Sequence, residues 1–159
     1  LRTSGGSITA ENSSGNIALR TSGGSLTFTN LKGDIKGSTS GGSIKITTMD
    51  GDMEVSTSGG SIRFTDVSGN LIASTSGGSI NGNIKTIKNN LSLSTSSGNI
   101  KVDLPFNEGL DLDLKGNKVV STKLAKVSNT LKDGKVNGRI NGGGKSVKMR
   151  TSSGTIYVD

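Results

Sequence analysis

Apolar and polar positions repeat every nine residues through the first two-thirds of the chain. Each unit starts at a glycine: Gly6, Gly15, Gly24, Gly33, Gly42, Gly51, Gly60, Gly69 and Gly78. With that glycine as position zero, position one is a small polar residue and position two is Ile, Leu or Met. Position four is usually apolar as well, as at Leu19, Phe28, Ile46, Val55, Phe64, Leu93 and Val102. An apolar-polar-apolar triplet after a glycine predicts a short strand with one buried face. Helix is excluded here, because no segment up to Phe106 sustains a 3.6-residue period and glycine interrupts every unit.

Successive units alternate between two phrases. Leu1-Arg2-Thr3-Ser4-Gly5-Gly6-Ser7 recurs unchanged as Leu19 to Ser25, and Thr-Ser-Gly-Gly-Ser returns at Thr39, Thr57 and Thr75. Between these copies lie Gly15-Asn16-Ile17, Gly33-Asp34-Ile35, Gly51-Asp52-Met53 and Gly69-Asn70-Leu71. Two halves therefore make a coil of 18 residues. Self-similarity at a fixed short period marks a solenoid, in which each unit buries its apolar face only against its neighbours. The predicted fold class is all-β: a right-handed parallel β-solenoid, β-helix or β-roll-like. Its coils would stack at about 4.8 Å, the spacing of paired strands, and right-handedness follows from the rule for parallel crossovers. Ile8, Ile17, Leu26, Ile35, Ile44, Met53, Ile62, Leu71 and Ile80 are the expected inward positions.

The two halves end differently. Position seven is apolar after one (Leu31, Met49, Val67) and serine after the other (Ser22, Ser40, Ser58, Ser76), where paired glycines follow. The second turn is thus expected to be tight and polar, with glycine accepting close backbone approach.

The beat slips by two residues before Thr95-Ser96-Ser97-Gly98-Asn99-Ile100, which predicts a loop within residues 82–90. Pro105, which cannot donate to a ladder, closes the regular region. Within one domain spanning 1–159 the parts are regular half-coils over 1–104, an irregular basic segment over 105–145 and closing strands over 146–159. Leu110-Asp111-Leu112-Asp113-Leu114 alternates as a strand, and Val119, Leu124, Val127 and Leu131 fit either strands or a short helix. Because Leu1 falls in mid-coil, the expectation is a fragment lacking an N-terminal part, the place where a targeting segment would lie.

Composition narrows the chemistry. With no histidine, His-based acid–base work, triads and the commonest metal ligand are excluded; with no cysteine, so are disulfides and thiolate metal sites. No cofactor is expected. Asp50 with Asp52, and Asp111 with Asp113, are the paired carboxylates, expected in a solvated turn and on the outer face of a strand. A calcium β-roll would need Gly-Gly-x-Gly-x-Asp in each half, whereas these turns carry Ser, Thr and Asn. No apolar run is long enough for a membrane span.

The net charge of +7 is uneven: residues 115–150 hold ten Lys/Arg and one acid, a local +9, and the remainder carries −2. Lys118, Lys123, Lys126, Lys132, Lys135 and Arg139 form a candidate basic patch for polyanions, against the alternative of a solubilising surface. The near absence of stacking aromatics there disfavours nucleic acid. A second candidate is the column of Thr21, Thr39, Thr57, Thr75 and Thr95, which stacking would align. It reads either as turn hydroxyls bonded to backbone or as a polar strip for a glycan or, remotely, ice.

The Thr-Ser-Gly-Gly-Ser-Ile and Ser-Gly-Asn-Ile phrases, with Val102-Asp103-Leu104-Pro105, residues 138–144 and the closing Thr151-Ser152-Ser153-Gly154-Thr155-Ile156, resemble a bacterial adhesin-like β-solenoid family. That family is of unestablished function and common in envelope and secreted proteins, and nearly the whole chain takes part in the likeness. The resemblance implies an extracytoplasmic, non-catalytic binding or scaffold module with a glycan or surface protein as partner, and it carries no catalytic residues. A polysaccharide-active enzyme on a β-helix scaffold is the rival class; fold alone does not decide between them. Ligand identity and oligomeric state are not legible in the sequence.

Overall fold

The structure, a computed structural model, describes residues 1–124 and 134–159. They form a 12-stranded sheet wound into a β-solenoid of about 6 turns with roughly 18 residues per turn. The strands are β1 (Arg2–Thr3), β2 (Ile8–Thr21), β3 (Leu26–Thr39), β4 (Ile44–Thr57), β5 (Ile62–Thr75), β6 (Ile80–Thr95), β7 (Ile100–Asp103), β8 (Leu110–Lys115), β9 (Lys118–Val120), β10 (Lys135–Ile140), β11 (Lys145–Thr151) and β12 (Thr155–Val158).

The two short strands predicted for each coil are fused into one. β3, β4 and β5 each run 14 residues through the corner and pair with one another in parallel, partners lying 18 residues apart, such as Ile35↔Met53 and Met53↔Leu71. Only the corner residue leaves the ladder: Asn12, Asn30, Thr48 and Asp66 turn the chain at φ 48–56°. Asn and Asp visit this left-handed region at little cost, whereas a β-branched residue does not. Of the nine inward positions eight are buried, and Ile17, in the first full coil, is half-buried against the core. Position four is buried from Leu19 to Ala73, with Ala10 half-buried, and Leu31, Met49 and Val67 are buried as well.

The Thr-Ser-Gly-Gly-Ser turn is shaped by stacked backbone. A Cβ on Gly24, Gly42, Gly60 or Gly78 would lie 2.1 Å from the carbonyl oxygen of the glycine one coil below, so this column has no room for a side chain. The preceding glycines, Gly41 and Gly59, have their nearest neighbours at 3.7 Å. In the later copies that looser position is held by Ser97 and Ser153.

Three features of the later chain depart from the predicted plan. The two extra residues near 82–90 do not open a loop; they are absorbed as irregularities inside the 16-residue β6, with Ile84 and Ile87 turned into the core. The strands are not all parallel, since β10 runs antiparallel to β8. Nor does the closing segment cap the stack. β11 inserts between β6 and β8, and β12 between β7 and β9, giving the order β6-β11-β8-β10 on one side and β6-β7-β12-β9 on the other. Thr151 consequently stacks on Thr95, and the Cβ of Gly154 would meet Gly98 as in earlier coils. Val119 lies buried in β9 and Leu124 is buried just beyond it, while Val127 and Leu131 lie outside the described residues.

Candidate functional site

Alternation along a strand turns every second residue outward, so 18-residue stacking converts outward positions into rows that run across the coils. The threonine column is not one of these rows. Thr21, Thr39, Thr57, Thr75 and Thr95 are 2–6% exposed. Each hydroxyl donates to the glycine carbonyl one coil below, as Thr39 Oγ1 does to Gly24 at 2.7 Å, and accepts the amide of the glycine three residues on, at 3.2–3.3 Å. Both polar atoms of the turn backbone that stacking removes from water are thereby satisfied. The expected polar strip is therefore a structural element, because the turn needs these hydroxyls facing inward. Thr151, unexpected from the spacing, joins the column with the same pair of bonds.

A neighbouring column behaves similarly. Ser7 Oγ accepts the amide of Ser25, and the pattern repeats through Ser43, Ser61, Ser79 and Asn99, ending at Asn99 Oδ1 with the amide of Thr155 at 2.8 Å.

The described residues of the basic segment have separate surroundings. Arg139 is paired with Asp111 at 3.3 Å, and Lys123 stands over the Phe106 ring at 5.2 Å. Lys118 is exposed in β9, and Lys135 faces Lys115 across the antiparallel ladder from β10. Lys126 and Lys132 lie outside the described residues. The four described residues, Lys118, Lys123, Lys135 and Arg139, thus lie on β9, just beyond it and on β10, and Arg139 is neutralised locally.

The carboxylates of the C-terminal part are similarly engaged. Asp113 pairs with Arg150, Glu108 with Lys145 at 2.9 Å, and Glu108 also accepts the amide of Ile87 at 3.2 Å. Asp111 accepts the amide of Gly144. These contacts tie β6, β8, β10 and β11 together, and sequence alone gave no partner for either aspartate. The carboxyl of Asp159 is held below its usual range, chiefly by the hydroxyl of Thr122, which donates to it at 2.7 Å, and then by the Thr122 amide. Among the described residues no group of three or more His, Cys, Asp or Glu is placed to hold a metal ion. No helix among them is long and apolar enough to cross a membrane.

One outward row was missed in the sequence. Position three of the Gly-Ser-Ile halves runs Thr27↔Lys45↔Arg63↔Asn81↔Lys101↔Tyr157↔Val120, across β3, β4, β5, β6, β7, β12 and β9. Lys45, Arg63, Lys101, Tyr157 and Val120 in it are exposed. A depression of about 300 Å³ lies beside its centre, lined by Asn81, Gly82, Asn83, Lys101 and Asp103 among others.

Comparison with known proteins gives a match to the family described as Toastrack DUF4097, over residues 2–159. No curated protein and no solved structure matches the chain.

Proposed function

Because this chain belongs to the Toastrack DUF4097 family, a β-solenoid family of unknown function, we propose that it is a non-catalytic binding or scaffold module, with a glycan or another protein as its partner. The reading places it outside the cytoplasm, at the cell surface or in the envelope, in the manner of an adhesin. One observation carries it. The apolar side chains and turn hydroxyls are turned inward to hold the coils together, whereas the outward positions form rows of charged, amide and hydroxyl groups at fixed lateral spacing. Such a surface is rigid before any partner arrives, so little ordering entropy opposes association.

The carboxylates of the C-terminal part are taken up in bracing the strands, which supports the same reading. Asp111, Asp113 and Glu108 are held in ion pairs with Arg139, Arg150 and Lys145. They brace strands. A glycan array and a pull-down with surface proteins, both using the whole chain, test the proposal. Retention of a defined glycan or protein without chemical change is the expected result. Turnover of any glycan on the panel contradicts it.

A further inference from the structure

We propose that the row Lys45, Arg63, Asn81, Lys101 and Tyr157 is a binding strip for a linear acidic glycan. The inference rests on the binding-module reading above and adds to it a surface and a ligand chemistry.

Charge distribution is the first support. On the other half of the same coils the lysines are paired, Lys32 with Asp50 at 3.9 Å and Lys36 with Glu54 at 3.5 Å, and the like-charged neighbours Asp34 and Asp52 there are anionic. On the strip, Lys45 and Arg63 are direct lateral neighbours, and Lys101 follows two strands later. Among the described residues no ion pair involves any of the three. Like charges opposite one another on a sheet are destabilising, and nothing in the packing of this exposed row requires them. An anionic partner supplies the missing charge. The acids on this side fall outside the row and are exposed, Glu11 and Asp103 in the adjoining row and Asp66 at the corner, and Asp159 lies near Lys101.

Shape and polarity are the second. Strand spacing sets the length from Lys45 to Tyr157 at about 19 Å, four lateral steps, enough for several sugar rings laid across the strands. Tyr157 is 39% exposed beside exposed Val120, giving an amphipathic ring on which the apolar face of a sugar can rest. Asn81 and the depression around it offer amide donors and acceptors between the cations. A single-stranded nucleic acid would instead call for successive aromatics, and the strip has one.

The test is calorimetric titration of the whole chain with an octamer of galacturonate, its neutral methyl ester, and an oligo-thymidylate of similar length. Binding of the galacturonate octamer that weakens with salt, and much weaker binding of the ester, are expected. The Lys45→Ala/Arg63→Ala/Lys101→Ala variant should lose affinity by about tenfold or more, and Tyr157→Ala by several-fold. The Lys32→Ala/Lys36→Ala variant, altered on the other half of the coils, should bind as the parent does. All of these positions are exposed, so thermal melts near the parent's are expected, and Lys45→Glu provides a single-site charge reversal. Unchanged affinity in the triple variant overturns the strip. So does oligo-thymidylate binding of equal strength that Tyr157→Ala leaves untouched, which describes a general polyanion surface. If the octamer fails to bind while a neutral glycan or a protein does, the strip is wrong and the binding-module reading stands. Turnover of a glycan removes both.

Discussion

The ring of Phe28 lies where a side chain on Gly37 would begin: a Cβ there would sit 2.6 Å from its Cζ. Both residues occupy position four of their halves within one coil, and they share a core site that is one side chain wide. Other coils divide that volume differently, with Ile46 and Val55 in one and Phe64 and Ala73 in the next, all buried. Gly37→Ala is therefore expected to destabilise the protein by about 1–3 kcal/mol through overpacking. Adding Phe28→Leu should return part of that loss. Denaturant melts of the two single variants and the double variant would show a coupling of at least about 0.5 kcal/mol; strict additivity would separate the two sites.

Adjacent glycines in the tight turn should respond oppositely. Gly60→Ala would drive a Cβ to 2.1 Å from the Gly42 carbonyl, and backbone on both sides cannot yield. A loss of about 3 kcal/mol or more is expected, at or beyond the upper end for overpacking. Gly59→Ser, with 3.7 Å to its nearest neighbour, should stay within about 0.5 kcal/mol of the parent, as an ordinary surface change does. Serine already stands in that column at Ser97 and Ser153. Melting temperatures decide the matter, and a costly Gly59→Ser would contradict the stacking.

Thr57 separates a structural hydroxyl from a ligand contact. Its Oγ1 donates to the Gly42 carbonyl at 2.8 Å and accepts the Gly60 amide at 3.3 Å. Thr57→Val keeps the shape and leaves both backbone groups unpaired, which should cost about 1–3 kcal/mol. Any glycan affinity found for the parent should survive the change at temperatures where the variant is folded. A stable variant with lost binding would restore the threonine column as a contact surface.

Thr48 carries local strain. At φ 56° it holds a β-branched residue in the left-handed region, at a corner that other coils fill with Asn12, Asn30 or Asp66. Asn30 Nδ2 donates to Asn12 Oδ1 at 2.8 Å, and an asparagine at 48 would extend that ladder by one coil. Thr48→Asn is expected to stabilise by about 1 kcal/mol through relief of the left-handed cost. A lower denaturation midpoint would contradict this.

The regular coils were legible because every inward position recurs with the glycine beat, so Leu26, Ile44 and Ile62 could be placed by counting. The outward row obeys the same count: Thr27, Lys45, Arg63, Asn81, Lys101 and Tyr157 all stand three residues after a turn glycine. Their varied chemistry hid them, since a repeat is noticed where residues match and these differ. The 14-residue strands were expected as two because each glycine phrase reads as its own strand start, although ladder bonds resume at once beyond Asn30 and Thr48. Placement of the closing coil was beyond local reading. Nothing near Thr151 says that it stacks on Thr95 and leaves β8 and β10 outside; that choice is made by long-range pairing of β11 with both β6 and β8. The ion pair Asp113–Arg150 depends on the same insertion, and Asp111–Arg139 on the antiparallel pairing of β8 with β10.

The register of the stack and the insertion of the closing coil are tested together by paired spin labels, which the cysteine-free chain accepts without background. Labels at Thr27→Cys and Lys101→Cys span four lateral steps, about 19 Å between backbones. Moving the second label to Tyr157→Cys should lengthen the distance by a single strand step of about 4.8 Å, because β12 lies directly against β7. Narrow distributions differing by that one step are the predicted result. An increase of about 9.6 Å or more, two strand steps, would set β12 beyond β9 and contradict the account, as would broad distributions for either pair.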